Sequence, residues 1–222
     1  MAGETQNRTL RIHGDNIVEC ERALALVAQA FSAHFKFQSG PVFAPTYTIQ
    51  TGSHGTLEVQ LFAGYDRWNF DIAAALKAAG APLPEAADAV ITELFTGDAS
   101  HEFLLLAIEF CGALPAGNNA WQRCGRSYSY AITGVPYLYV SELGGYELNA
   151  ERELKSARMP NPLVPLAYVS QGDLSDTFAL PVFEPSPTID PQNLKRFETG
   201  FGKREMLELL RSIVTGASSS AS

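Results

Sequence analysis

Two carboxylates beside an apolar strand are the residues best placed for chemistry in this sequence. Gly97-Asp98 is followed, after ten residues, by Glu109-Phe110-Cys111, and Glu109 closes an apolar run that begins at Phe103. An isolated carboxylate is costly to bury, so Glu109 requires a metal ion, a cation or exposure at the strand end. If Asp98 and Glu109 converge, they form a hard-oxygen site suited to Mg2+. Such an ion activates a water and stabilises charge on a scissile phosphate. Convergence demands a chain reversal near Ala99–Glu102, because an unbroken strand holds the two acids roughly 35 Å apart. Without it, Asp66 or Asp71 becomes the second acid. The plainer alternative makes Asp98 a turn residue and Glu109 a strand-end acid paired with an arginine.

The segment after this strand, Asn118 to Ile132, has helical spacing, with Trp121, Cys124, Tyr128 and Ala131 on one face. Gln122 and Arg126 are i,i+4 neighbours on an adjacent face. Arg126, or Arg123 in its place, can supply a cation to Glu109 and contact a phosphate. An earlier helix is predicted over Asp15 to His34, with Asp15 as N-cap. Glu19 sits at the edge of its buried arc. Its bland reading is a charge favourable to the helix dipole.

These residues resemble the PD-(D/E)XK nuclease superfamily, which includes many restriction endonucleases. Gly97-Asp98 matches the first half of that motif and Glu109-Phe110-Cys111 the second, with Cys111 standing where lysine is usual. Some members carry glutamine and tyrosine on the following helix, which Gln122 and Tyr128 match in part. Many place an acid on the helix before the core sheet, for which Glu19 is the candidate. The resemblance covers residues 11–143. It implies an α/β fold, a mixed central sheet flanked by helices, with Asp98, Glu109, Glu19 and Cys111 around Mg2+ or Mn2+. Gln122 and Arg126 would position the water or the phosphate. It further implies a metal-dependent endonuclease acting on nucleic acid, DNA foremost, in restriction or antiviral defence, and working as a homodimer. The alternative within the same fold is an inactive domain that binds nucleic acid or protein. Cys111 in the lysine position and the acidic charge favour that alternative.

The elements that must hold these residues follow from the rest of the pattern. Strands are expected at Thr46–Thr51 and Thr56–Phe62 around a Gly-Ser-His-Gly turn, at Glu102–Cys111 and at Pro136–Val140. Helices are expected at Asp71–Ala79, Pro84–Phe95 and Lys203–Val214. Leu166–Gln171 suggests an edge strand, while the prolines of 159–165 and 181–191 suggest loops. The expected organisation is a core over 1–143, a loop-rich C-terminal extension over 144–215 and a Gly/Ala/Ser tail over 216–222. Such a tail suits a linker to further domains of a longer chain.

Composition narrows the classes. The chain has 222 residues, 46% of them hydrophobic and 18% charged, enough to bury a sizeable core. A net charge of −8 opposes a polyanionic partner unless local patches or a metal ion supply positive charge. Two basic groups could do so: Arg152, Lys155 and Arg158, and then Lys195, Arg196, Lys203 and Arg204 interleaved with Phe197 and Phe201. Cys20, Cys111 and Cys124 form no CxxC pair or disulfide framework. His13, His34, His54 and His101 show no metal-ligand spacing. No nucleotide-binding glycine motif and no GxSxG is present. A polar start and the lack of a long apolar run predict a cytoplasmic protein without a membrane span. A pocket lined by Tyr65, Trp68 and Phe70 would instead favour a small-molecule enzyme.

Overall fold

Strand β4 (Thr56–Ala63) shows how the pattern becomes a sheet: Leu57, Val59, Leu61 and Ala63 are buried and their alternate neighbours are not. In the computed structural model, residues 8–64, 71–95, 98–111, 118–143, 163–175, 179–185 and 202–216 are described. The chain divides into two compact units, Met1–Ala75 with Ala86–Ile108 and Leu207–Ser222, and Leu76–Glu85 with Glu109–Met206.

In the first unit, β1 (Arg8–Gly14) lies parallel to β4 and antiparallel to β5 (Ala89–Phe95), and β5 is antiparallel to β6 (Asp98–Cys111). On the other side, β3 (Thr46–Gln50) pairs antiparallel with β4 and with β2 (Phe35–Ser39). The turn between β3 and β4 is a single 3-10 turn over Gly52–His54. Helix α1 (Ile17–Ala30) buries Cys20, Ala23, Leu24 and Val27 against β1 and β4. Gly14 joins strand to helix where a Cβ would lie 2.6 Å from Cys20 Sγ, so only glycine fits this approach.

In the second unit, α3 (Asn118–Ile132) and α4 (Leu163–Ser175) pack together, and both cover β8 (Ala179–Pro185), which runs parallel to β7 (Tyr137–Leu143). Tyr130, Tyr137, Tyr139 and Tyr168 are fully buried and form its floor. Tyr168 stacks on Tyr139 with ring centroids 4.9 Å apart and on Tyr137 at 6.3 Å. The architecture is therefore α/β with mixed strand directions and flanking helices, as the pattern predicts.

Several elements differ from expectation. Residues 89–95 form β5 rather than the end of a helix, because β-branched Val90, Ile91 and Thr92 pair with β1 and β6 on both sides. Leu166–Gln171 lies within α4, not in an edge strand, and Pro165 falls in the first turn, where no helical N–H is needed. Ala179–Pro185 is a strand despite its prolines. The cap of α1 is Asn16, whose side chain accepts from Glu19 N–H, rather than Asp15. Helices α2 (Ile72–Ala78) and α5 (Lys203–Thr215) stand where predicted.

Candidate functional site

Glu109, near the end of β6, belongs to the second unit, and its side chain is fully buried. Helix α3 answers with two arginines one turn apart. Arg126 Nη1 donates to Glu109 Oε2 at 2.7 Å, and Arg123 Nε lies 2.6 Å from Oε1. From β7, the Tyr137 hydroxyl donates to Oε2 at 2.9 Å. Burial raises the Tyr137 pKa well above its ordinary value, and the Glu109 charge adds to this, so the phenol remains a donor. Burial opposes the charge on Arg126, but the Glu109 carboxylate beside it outweighs burial and holds the guanidinium more firmly protonated than usual.

The outer side of Arg126 meets a loop. Its Nη2 lies 3.3 Å from Glu85 Oε2, and the Glu85 side chain is 52% exposed. The loop is pinned to α3 because Leu83 N–H donates to Ser129 Oγ at 2.9 Å. Arg126 Nε is buried and has no hydrogen-bond partner among the described residues.

The proposed acids do not gather as the motif spacing suggests. Strand β6 spans Asp98 to Cys111 with register irregularities against β5, and the reversal near Ala99–Glu102 does not occur. Asp98 instead opens the strand, paired with Phe95 of β5, while Glu109 lies near the strand's other end. Asp71 accepts from Ala74 N–H at 2.9 Å and caps α2. Asp66 and the aromatic trio Tyr65, Trp68 and Phe70 lie outside the described residues, as do Arg152, Lys155, Arg158, Lys195 and Arg196. Gln122 is placed on α3, but its side chain also lies outside the description. Glu19 belongs to the first turn of α1 in the other unit. Cys111 is buried, and it faces the hydroxyl of Tyr139, whose pKa burial and this contact raise. A thiol in that setting is a poor ligand for a hard ion.

One acid escapes the sequence pattern: Glu85, which meets Arg126 and falls inside the helix expected over 84–95.

The donor chemistry at Glu109 bears on a divalent ion in one way. Two guanidiniums already supply the double positive charge that Mg2+ would bring, so the ion and the arginines are alternative partners for this carboxylate. Among the described residues no three His, Cys, Asp or Glu side chains converge.

A second buried polar cluster lies in the first unit. Glu102 on β6 is met by Arg11 and by His13 Nε2 at 2.6 Å, and Thr92 donates to it. Phe62 stacks on His13 with centroids 5.4 Å apart and carries Arg11 over its face at 5.1 Å. Burial alone would raise the Glu102 pKa, but hydrogen bonds from His13 and Thr92, the His13 charge and Arg11 bring it down to about 2.

Comparison with protein-family models, curated proteins and solved structures finds no match to this chain. No helix among the described residues is long and apolar enough to cross a membrane.

Proposed function

We propose that the chain is a cytoplasmic nuclease of the restriction-endonuclease type, acting on phosphodiester bonds of DNA in restriction or antiviral defence. The observation that carries this reading is the convergence of Arg126 and Arg123 on the strand-end acid Glu109. The motif has Cys111 in place of its lysine, and a cation from α3 is the compensation the chemistry requires. Mg2+ or Mn2+, when bound, supplies an activated water and counter-charge for the phosphodiester. Arg126 would stay paired with Glu109 through Nη1 and offer its other guanidinium edge to phosphate oxygens.

A second reading has its own support. Glu109 Oε2 already accepts from Arg126 and Tyr137, and Arg123 Nε stands 2.6 Å from Oε1. That favours a nuclease fold that binds nucleic acid without cutting it. Cleavage of plasmid, single-stranded DNA and RNA with Mg2+ or Mn2+ separates the two. Metal-dependent cutting that is lost in Glu109→Ala supports the nuclease. Binding without cutting, and no thermal shift with Mn2+, supports the second reading. Cutting that persists in Glu109→Ala removes Glu109 from the site.

A further inference from the structure

Arg126 holds two carboxylates of very different standing. Glu109 is fully buried and fixed at 2.7 Å, whereas Glu85 is half-exposed and lies at 3.3 Å. An exposed pair at that distance contributes little and exchanges readily with solvent ions. The edge of a guanidinium formed by Nε and Nη2 is the one that grips an oxyanion with two parallel hydrogen bonds. In Arg126 that edge is underused: Nη2 has only Glu85, and Nε has no partner among the described residues. Glu109 occupies Nη1, so the opposite edge is the one left for a ligand.

We propose that Glu85 is a built-in competitor for the phosphate site, a carboxylate that occupies the oxyanion edge of Arg126 until a phosphodiester displaces it. This rests on the reading of the chain as a nucleic-acid-binding protein and adds a residue that sets its affinity. The loop is built for the role. Leu83 is tied to Ser129, one turn beyond Arg126 on the same helix, and Glu85 N–H closes the loop by donating to Leu83 O at 2.9 Å. The backbone therefore fixes where the carboxylate starts, while its exposed head is able to swing away. A phosphodiester restores the charge balance that Glu85 provides and adds the bond to Nε that Glu85 does not make.

The test is the affinity of a fluorescein-labelled DNA oligonucleotide, single-stranded and duplex, in EDTA at low salt, so that nothing is cut. Glu85→Gln removes the competitor from an exposed position and leaves Glu109 paired. It is expected to bind the oligonucleotide about three- to fivefold tighter than the wild type, the scale of one exposed ion pair. The gain should shrink as salt is added. Glu21→Gln changes the net charge equally at an exposed site on α1, and it should leave affinity near the wild-type value. Equal gains in the two variants, or none in Glu85→Gln while the wild type binds, would overturn the competitor and leave the nucleic-acid reading standing. No binding by any of the three proteins would overturn both.

Discussion

Glu102 shows how much a single buried acid depends on its neighbours. Its folded carboxyl titrates at about 2, against an ordinary value of 4.5. The unfolded chain therefore takes up the proton first as pH falls, and acid favours unfolding through that window. The stabilisation is fully present above the ordinary value and is lost on approach to the folded one. Its full size is on the order of 3 kcal/mol, at 1.36 kcal/mol per unit. Urea unfolding across this pH range should show the loss in the wild type and a much flatter profile in Glu102→Gln. An equal slope in both would mean that other carboxylates carry the acid sensitivity. Glu109 could be recognised in the sequence because an acid ending an apolar run has to be explained. Glu102 could not, because its partners Arg11, His13 and Thr92 lie on two other strands and only the register of β1, β5 and β6 brings them together.

At the scale of elements, the local signals were clearest where one face alone is buried. Helix α3, strands β3 and β4, and helix α5 carry their period in the sequence and stand where it puts them. The misread segments obey other constraints. β5 is central, paired on both sides, so its pattern lacks the alternation of a half-exposed strand. α4 inverts the usual arrangement: it buries Tyr168 and Gln171 while Leu163, Leu166 and Val169 stay exposed. Gln171 is held there by bonds to Ser127 and to Cys124 O, partners no local pattern reveals. The start of α1 is a case where the element was legible and the cap was not. Asp15 and Asn16 are both good caps, and the structure uses Asn16. Asn16→Ala should therefore lower stability by about 1 kcal/mol, with Asn16→Asp near neutral and Asp15→Ala without comparable effect. Thermal or urea denaturation of the three variants measures this, and a larger loss for Asp15→Ala would put the cap back at residue 15.

For the whole molecule, the question is how a chain of net charge −8 could hold DNA. Its long-range field repels a polyanion, so attachment must come from a few close contacts, and the α3 arginines are the described cations aligned for it. Counter-ion release makes this countable. The logarithm of the binding constant falls with the logarithm of salt concentration at about 0.9 per phosphate neutralised on duplex DNA. Two arginines acting alone predict a slope near −1.8 by that rule. Measured on the uncut complex in EDTA, a slope of that size would mean that Arg123 and Arg126 carry the electrostatic contact, and Arg123→Gln would reduce it by about half. A slope several times steeper would mean that further basic residues join them. The first to substitute would then be Arg152, Lys155 and Arg158, followed by Lys195 and Arg196, which the sequence marks as clusters. A slope near zero would mean that phosphate is not what these arginines hold. Pairing with Glu109 would then be their role, in a buried ion cluster that fixes α3 against the end of β6.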